Sequence, residues 1–444
     1  MKKVLVIGNG GREHALVDAL ARSPQNPEIY NFGSGINPGI KKLVKEIKIG
    51  NAKNSAEVVT FAQSIKPDLV VIGPEDPLSV GVVDELKKIS VSCFGPTKKC
   101  AQLESSKSFT RNLLQKYNID ASPGFAVFDT LNEKAMKIFF DKFQGQIVVK
   151  ADGLIGGKGV LVAGDHFTEF SEILEFSSRS IEKFGRVVLE EKLIGEEFSL
   201  ISLVDGETVL DCPAIQDHKR AFVGDTGPNT GGMGCISDEY NSLPFLREED
   251  LKEAHEITVQ TMQAIEKEVG EKYVGVMYGG FIVTSRGVKL IEYNARFGDP
   301  EALNILPILE SNFLDVCDKA ISGNLKEIGR LEFKKVATVV KYLCPEGYPT
   351  SPVKDVPIKI AKDFKETENQ KVLFASIAEE NNELILKGSR AVGILGTGNS
   401  IEEANLNCEK MIQNFSGPLF YRKDIGTKEL IQKRIDHLKK VIVS

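Results

Sequence analysis

The sequence predicts a protein that combines α/β and α+β units, with a doubly wound parallel sheet at the N-terminus and a small β-rich domain at the C-terminus. Over residues 1–105, short apolar strands alternate with helical patterns, which is typical of parallel sheets. A smaller α/β unit at about residues 123–190 carries a glycine-dense hairpin, and after about residue 330 short strands dominate. We therefore expect separate units rather than one compact core.

Length and composition narrow the classes of function. The 444 residues correspond to roughly two to four domains. The formal charge of −6 argues against general nucleic-acid binding. The longest apolar runs, such as 4–7 and 69–72, fall far short of the ~20 residues of a membrane span. The seven cysteines lack CxxC spacing, so neither a disulfide framework nor a zinc site is indicated.

The first strand, at residues 4–7, is followed by charged residues rather than by the apolar region of a signal peptide, which predicts a cytoplasmic protein. Further strands are expected at 28–32, 69–72 and 92–94. Ligands of such sheets bind at the carboxyl ends of the strands.

The loop Gly8-Asn9-Gly10-Gly11-Arg12-Glu13-His14 resembles a dinucleotide-binding fingerprint, but Glu13 replaces its third glycine. The second strand also ends without the acidic residue that binds a ribose hydroxyl. Binding of NAD is therefore weakly supported. A helix N-terminus beside Arg12 still suits a phosphate monoester.

Two other segments of the first 120 residues carry charged side chains. The loop Gly73-Pro74-Glu75-Asp76 ends an apolar strand, either as a sugar-binding loop or as a simple turn. A helix is predicted from Leu103, with Glu104, Lys107 and Arg111 at helical spacing. For Lys107, a solvated helix face is the plain alternative to ligand binding.

The stretch 148–160 joins an apolar strand ending at Lys150 to a glycine-rich hairpin that contains Lys158. Mobile backbone with two cations suits a polyphosphate. The segment is not a Walker A loop, because Asp152 and Gly159 stand where that motif needs a glycine and a hydroxyl residue. A flexible hairpin without a ligand is the alternative.

Two downstream segments also allow two interpretations. The strand at about 186–193 runs into charged residues, either as an ordinary edge or as a hinge whose backbone pairs with a purine base. The segment 224–234 contains many glycines, whose N–H groups form anion-binding nests in folded loops. A disordered linker is its alternative.

The strand 288–294 is predicted to extend far enough that Glu292, Asn294 and Arg296 share one face. Oxygen ligands beside a guanidinium suit Mg²⁺ and a phosphate, because Mg²⁺ takes few protein ligands and completes its shell with phosphate and water. A polar face exposed to solvent is the alternative. Further strands are expected at 336–342, 371–376, 383–386 and 391–395, and a helix at 401–415.

Taken together, these motifs resemble the glycinamide ribonucleotide synthetase family of ATP-grasp enzymes. The resemblance rests on segments in family-like order, namely 8–15, 73–75, 103–107, 150–154, 216–220, 225–234, 296–301 and 421–426. It implies an N-terminal substrate domain (1–105), an ATP-grasp core (106–330) with a mobile lid at about 123–190, and a C-terminal domain (331–444).

The resemblance also implies a reaction. ATP would activate glycine as glycyl phosphate, and 5-phosphoribosylamine would displace the phosphate to give glycinamide ribonucleotide in purine biosynthesis. Mg²⁺ or Mn²⁺ would assist, no nucleic acid or membrane would be bound, and the chain would be a monomer or weak dimer. The alternatives are another ATP-grasp carboxylate–amine ligase or carboxylase of purine metabolism, an NAD(P)-binding oxidoreductase, or a nucleotide sensor.

The resemblance implies a set of residues for each ligand. ATP would be held by Lys107, Lys150, Gly157, Lys158, Glu190, Glu191, Leu193 and Glu197, the segment 190–193 meeting adenine and Glu197 the ribose. The metal would be bound by Glu292 and Asn294. Phosphoribosylamine would be bound by Gly10, Gly11, Arg12 and Glu75. Arg296 would stabilise the transferring phosphoryl group, while Asp217, Lys219 and Asp299 would serve glycine and the acyl phosphate.

The sequence departs from the family pattern in two places. Met277-Tyr278-Gly279-Gly280 stands where many ATP-grasp proteins have an acidic metal ligand, so fewer protein ligands are expected for a second metal. Val372-Leu373-Phe374-Ala375-Ser376 replaces a His-Ala-Gly-Thr run. That replacement leaves open whether this strand contacts a substrate.

Overall fold

The computed structural model describes residues 1–156 and 159–443, and its N-terminal unit is the predicted parallel sheet, in the order β3-β2-β1-β4-β5. The elements are β1 (Lys3–Ile7), α1 (Gly11–Ala21), β2 (Glu28–Gly33), α2 (Pro38–Lys41), β3 (Glu46–Ile49), α3 (Ser55–Ile65), β4 (Leu69–Ile72), α4 (Glu75–Val80), α5 (Val82–Lys88) and β5 (Cys93–Phe94). The apolar strands β1 and β4 are buried and lie at the centre. The sequence analysis missed β3, a largely exposed edge strand in which charged and apolar residues alternate.

The helix predicted from Leu103 is interrupted, so the expectation of one continuous helix was wrong. The structure has α6 (Gln102–Ser105) and α7 (Lys107–Lys116). Ser106 between them is extended, and its hydroxyl accepts a hydrogen bond from the Phe109 N–H at 3.1 Å. This N-cap satisfies an otherwise unpaired amide of α7 and makes Lys107 its first residue.

The small α/β unit (residues 125–191) is an antiparallel sheet in the order β6-β9-β7-β8, covered by helices. Its elements are β6 (Phe125–Phe128), α8 (Glu133–Lys142), β7 (Ile147–Ala151), β8 (Val160–Val162), α9 (Phe170–Phe184) and β9 (Val187–Glu191). The unit has its own apolar cluster, which includes Met136, Ile147 and Leu189 and is distinct from the main core. A separate core is expected of a part that moves as a body.

The central region contains a second antiparallel sheet, in the order β11-β10-β16-β17. Its elements and those of the intervening segment are β10 (Glu196–Val204), β11 (Val209–Asp211), β12 (Gln216–Asp217), β13 (Arg220–Phe222), β14 (Thr226–Asn229), β15 (Gly234–Ser237), α10 (Glu248–Val269), β16 (Gly275–Thr284) and β17 (Gly287–Asn294). Strands β10 and β11 form a hairpin whose turn contains Asp205 and Gly206.

The remaining elements form the C-terminal unit and the connection to it. They are α11 (Glu301–Ile305), α12 (Phe313–Ile321), β18 (Ala337–Pro345), β19 (Pro357–Ile360), β20 (Gln370–Phe374), β21 (Ile377–Glu380), β22 (Glu383–Leu386), β23 (Val392–Gly398), α13 (Ile401–Ile412), β24 (Phe415–Ser416), β25 (Leu419–Phe420) and α14 (Lys428–Val443), with short 3₁₀ turns at Leu306–Ile308 and Leu325–Ile328. Seven of these elements were not predicted from the sequence, namely α11, α12, β19, β21, β24, β25 and α14.

The sheet of the C-terminal unit includes strands from the middle of the chain. Its order is β12-β15-β18-β23-β20, and the register of β15 on β18 pairs Cys235 with Val340. The glycine-rich segment 224–234 lies between β13 and β15 and contains β14, which pairs with β13. The segment is therefore folded against the C-terminal unit and is not a linker.

We searched the described part of the chain for a helix long and apolar enough to cross a bilayer, and found none.

Candidate active site

The small α/β unit is joined to the central sheet by a buried cluster of charges. Lys150 on β7 and Glu190 on β9 face each other, with the Lys150 Nζ 2.8 Å from the Glu190 Oε2. Arg111 of α7 holds the same carboxylate through Nε at 2.7 Å and Nη2 at 3.0 Å. Both cations also donate to the carbonyl oxygen of Ile291 on β17, at 3.0 Å from Lys150 and 2.7 Å from Arg111.

Burial alone would raise the pKa of Glu190, but Arg111 and Lys150 outweigh it and lower that pKa to about 2. The sequence analysis assigned no role to Arg111. Its spacing from Glu104 and Lys107 placed it on a helix face, and only the fold shows that this face is buried.

The segment from Glu190 to Leu193 crosses from the small α/β unit to β10, as expected of a hinge. The side chain of Glu191 binds the Gly124 N–H at 3.1 Å and Arg286 at 2.6 Å. Within the part of the chain that the structure describes, the backbone of Leu193 makes no hydrogen bond. Its N–H and C=O are therefore available to an adenine edge, and this role stays a prediction.

Lys107 and the glycine hairpin lie together. The Lys107 Nζ donates to the carbonyl oxygen of Gly153 at 2.8 Å. Asp152 accepts from the Ser108 N–H at 3.1 Å, which ties the start of the hairpin to α7. Gly157 and Lys158, the residues of this hairpin that were predicted to bind ATP, lie outside the described residues.

The predicted metal ligands Glu292 and Asn294 lie on β17, two residues apart and on one face. Neither side chain has a hydrogen-bond partner in the described ranges 1–156 and 159–443. Burial raises the pKa of Glu292, but Lys219, Lys150, Lys107 and Arg296 together lower it. The carboxylate is thus charged, unpaired and faced by cations, which suits a divalent metal next to phosphate groups.

We found no cluster of three or more His, Cys, Asp or Glu side chains suited to a metal among the residues the structure describes. A Mg²⁺ ion held by Glu292 and Asn294 would therefore take most of its ligands from phosphate oxygens and water. The expectation of fewer protein ligands for a second metal, drawn from the stretch 277–280, stays a prediction. The Tyr278 hydroxyl donates to Glu301 at 2.7 Å.

Arg296 does not continue the face of β17, because that strand ends at Asn294. The prediction that one strand carries all three side chains was therefore wrong in its extent. Arg296 instead binds Glu75 through Nε at 3.1 Å and Glu104 through Nη2 at 2.8 Å. The positive charge of Arg296 lowers the pKa of Glu75 to about 2, although burial acts in the opposite direction.

The N-terminus of α1 is capped by carboxylates. The Gly10 N–H donates to Glu13 at 2.6 Å and the Arg12 N–H donates to Asp299 at 3.2 Å. The Arg12 guanidinium is bound to Glu13 at 2.6 Å and lies 3.8 Å from Glu75. A phosphate monoester would meet this negative charge, so the geometry favours ribose hydroxyls or an amine at Gly10 and Arg12.

Gly11 marks where the C-terminal unit touches α1. A Cβ atom there would lie 2.4 Å from the Tyr342 hydroxyl oxygen and 3.2 Å from the Ala375 Cβ. Next to it, the Phe374 N–H donates to the His14 Nδ1 at 2.9 Å. The divergent run 372–376 therefore contacts the loop predicted to bind phosphoribosylamine.

Asp217 is the last residue of β12, and Lys219 follows it by two positions. The Asp217 Oδ1 is buried and has no hydrogen-bond partner among the described residues. Burial, and then Glu301, raises the pKa of Asp217 well above its ordinary range. The Lys219 Nζ lies 3.5 Å from the predicted ribose ligand Glu197, which raises the pKa of Lys219. A buried carboxyl oxygen without a partner, close to the second carboxyl group of Glu301, suits an ammonium group, whose positive charge would favour the ionised form.

Profiles of one protein family match three successive parts of the chain. Family profiles described as the N, ATP-grasp (A) and C domains of phosphoribosylglycinamide synthetase match residues 2–104, 105–302 and 338–428, respectively. The chain belongs to the phosphoribosylglycinamide synthetase family.

Relatives of the phosphoribosylglycinamide synthetase family match along the whole chain. The phosphoribosylamine–glycine ligase of Methanococcus vannielii is 45% identical over 446 residues, covering 99% of this chain and 100% of the relative. That of Methanobrevibacter smithii is 43% identical, with 99% and 100% covered. The crystal structure of the Thermotoga maritima ligase aligns with a TM-score of 0.79 at 29% identity, covering 95% and 100%.

The fold extends beyond the phosphoribosylglycinamide synthetase family. The biotin carboxylase domain of Hydrogenobacter thermophilus 2-oxoglutarate carboxylase aligns with a TM-score of 0.73 at 14% identity, covering 99% of this chain and 97% of that one. At this identity the likeness shows a shared fold only.

Proposed function

We propose that the chain is a phosphoribosylamine–glycine ligase, which converts ATP, glycine and 5-phosphoribosylamine into ADP, phosphate and glycinamide ribonucleotide. Membership of the family supports this activity. The structural observation that carries it is that the side chains of Glu292 and Asn294 have no hydrogen-bond partner among the described residues. Four cations, Lys107, Lys150, Lys219 and Arg296, lie close enough to lower the pKa of Glu292. An ATP-dependent ligase needs such a surface for a triphosphate and its metal.

The chemistry requires activation of a poor electrophile. The glycine carboxylate attacks the γ-phosphorus of ATP, which gives glycyl phosphate and ADP. The amine of phosphoribosylamine then attacks the glycyl carbonyl carbon, phosphate leaves with the electron pair of the C–O bond, and the nitrogen releases one proton to give the neutral amide. The protein contributes alignment and charge neutralisation, and no covalent enzyme intermediate is needed.

The side chains divide this work. Lys107 and Lys150 bind phosphate oxygens, and Arg296 neutralises charge on the transferring group. Glu292 and Asn294 hold a divalent ion, Mg²⁺ or Mn²⁺, which when bound shields the phosphate charges. Asp217 accepts the glycine ammonium group, since its buried Oδ1 has no hydrogen-bond partner among the described residues.

Glycine and phosphoribosylamine meet between the glycine-rich segment 224–234 and α1. Lys219 and Asp299 flank the acyl phosphate. Gly10, Gly11, Arg12 and Glu75 bind the ribose and amine of phosphoribosylamine, because carboxylates already cap this helix end. Adenine lies against the segment 190–193, and its ribose binds Glu197. A monomer or weak dimer in the cytoplasm remains our expectation for the state of the protein.

A coupled ADP-release assay tests the proposal, with phosphoribosylamine generated in situ from ribose 5-phosphate and ammonia. ADP should appear only when ATP, glycine and phosphoribosylamine are all present, and glycinamide ribonucleotide should be detected by mass spectrometry. ADP release with bicarbonate or formate in place of glycine would instead assign a sibling ligase or carboxylase activity. Release over many turnovers without phosphoribosylamine would contradict the proposal, whereas a single turnover that forms glycyl phosphate would not.

A further inference from the structure

Arg390 of the C-terminal unit ties together two segments of the central region. It lies between β22 and β23, and its Nη1 donates to the carbonyl oxygens of Gly231 at 2.7 Å, Gly232 at 3.0 Å and Asp299 at 2.7 Å. Its Nη2 lies 3.2 Å from the Asp299 Oδ1. One planar guanidinium therefore fixes the loop 231–232 and Asp299 relative to each other.

Tyr342 on β18 supports the same arrangement. Its ring lies under the guanidinium, 4.6 Å from the Arg390 Cζ, and its hydroxyl donates to the Asp299 Oδ1 at 2.6 Å. The Asp299 Oδ2 is held from the other side by the Arg12 N–H of α1. The carboxylate of Asp299 is thus fixed jointly by the N-terminal and C-terminal units.

The loop held by Arg390 also forms a wall beside Asp217. Gly232 has a φ of +109°, and a Cβ atom there would lie 2.6 Å from the Asp217 Oδ1 and 2.5 Å from the Pro300 Cδ. Only glycine fits this conformation and approach without strain. A small shift of the loop would therefore move the surroundings of both Asp217 and Asp299.

We propose that Arg390 and Tyr342 are positioning residues, through which the C-terminal unit sets the geometry of Asp299 and the loop 231–232 at the glycine end of the site. This inference rests on the proposed function. Neither residue needs to touch a substrate. No sequence pattern indicates either role, because both residues come to the site only when the C-terminal sheet forms.

The electrostatics are consistent with this role. Burial raises the pKa of Asp299, whereas Arg390 and then Arg12 lower it below its ordinary value. The charged and titratable groups that face Asp299 are Arg390, Tyr342 and Tyr348 of the C-terminal unit, Arg12 of α1 and Cys235 of β15. Loss of Arg390 would therefore raise the pKa of Asp299.

The test compares Arg390→Met, Arg390→Lys and Tyr342→Phe with the wild type in the full-length enzyme. Arg330→Met and Tyr421→Phe serve as matched controls. The Arg330 side chain is 83% exposed and pairs with Glu332, and the Tyr421 hydroxyl donates to Glu409 at 2.7 Å. The readouts are kcat, the KM of each substrate, the pH profile of kcat/KM for glycine, and the Tm.

We expect Arg390→Met to lower kcat/KM for glycine by on the order of 10²-fold, as small misplacements of reacting groups do, with little change in the KM for ATP. The acidic limb of the kcat/KM profile for glycine should move to higher pH in this variant. Arg390→Lys should restore the limb but not the rate, because lysine keeps the charge and loses the fork. Tyr342→Phe should cost about tenfold, and both controls should match the wild type.

Wild-type kcat/KM and pH profiles in both Arg390→Met and Tyr342→Phe would overturn the inference. A loss of rate that only follows a loss of Tm, with an unmoved acidic limb, would also overturn it, because the role would then be structural. If Arg390→Met does not fold, Tyr342→Phe decides. Absence of glycine-dependent ADP release in the wild type would instead reject the proposed function.

Discussion

The ammonium of Lys150 lies 2.8 Å from the carboxylate of Glu190, and both side chains are almost completely buried. Arg111 binds the same carboxylate, so one acidic group compensates two cations inside the protein. Lys150 is also the residue on which phosphate binding was expected. Lys150 and Arg111 also donate to the Ile291 carbonyl oxygen on β17, so the whole cluster joins the small α/β unit to the central sheet.

Glu190→Gln should destabilise the protein strongly, because it leaves Arg111 and Lys150 buried without their counter-charge. The expected loss is about 3–5 kcal/mol in the free energy of unfolding, measured by urea denaturation. Glu268→Gln is the control, since Glu268 pairs with Lys116, whose side chain is 62% exposed. That variant should lose less than about 1 kcal/mol. Equal losses in the two variants would contradict the importance of the buried cluster.

Glu292→Ala should lower kcat by about 10³-fold at fixed Mg²⁺, because it removes a charged metal ligand from the transferring phosphate. The Mg²⁺ concentration at half-maximal rate should also rise. Initial rates over a Mg²⁺ titration check both effects, with Glu332→Ala, an exposed carboxylate that pairs with Arg330, as control. Near-normal turnover with an unchanged Mg²⁺ dependence would remove Glu292 from the metal site.

Asp165→Asn should weaken ATP binding slightly. Asp165 lies 2.6 Å from Arg220, so an ion pair links the small α/β unit to β13. The pair is weak, because the Asp165 side chain is 44% exposed. We expect the KM for ATP to rise about two- to fivefold, more at low than at high salt. Asp141→Asn is the control, because Asp141 pairs with Lys137 within α8. A KM independent of the Asp165 substitution and of salt would show that the pair does not hold the unit closed.

His14 should make the protein sensitive to mild acid. Burial, partly offset by Asp18, lowers the pKa of His14 from 6.5 to about 4. Its Nδ1 accepts the Phe374 N–H, so the folded protein holds the ring neutral. As the pH falls from 6.5 to about 4, the unfolded chain takes up the proton first, and stability should drop by about 3 kcal/mol.

The check on His14 is the free energy of unfolding at pH 8, 7, 6 and 5 for the wild type and His14→Asn. Asparagine can accept the same backbone hydrogen bond, and the value at pH 8 isolates any loss of packing. His218, whose pKa burial lowers to about 3, acts in the same direction in both proteins and cancels in the difference. An identical pH slope in the two proteins would refute the role of His14.

The parts of the fold that followed from the sequence are those with strong local patterns. Strands β1 and β4 are apolar and buried, and β2 is buried after its first residue. Strands β3 and β21 were missed because they are polar edge strands with half-exposed faces. The break at Ser106 was missed because its capping hydrogen bond acts through the backbone of Phe109.

The candidate site divides in the same way. Glu292 and Asn294 could be paired by strand periodicity alone, since a two-residue spacing fixes their common face. Glu104 was visible in the sequence as part of a motif, yet its binding to Arg296 depends on packing between units. Arg111, Arg390 and Tyr342 depend wholly on long-range contacts, which periodicity does not contain.

The pairing of β15 with β18 has a practical consequence for dividing the chain. A fragment that stops near residue 330 would lose the neighbour of β15 and expose a row of unpaired backbone N–H and C=O groups. Such an edge recruits strands from other molecules and promotes aggregation. Attempts to graft the nucleotide-binding half onto other acceptor modules should therefore carry the C-terminal sheet along, or supply a substitute strand for that edge.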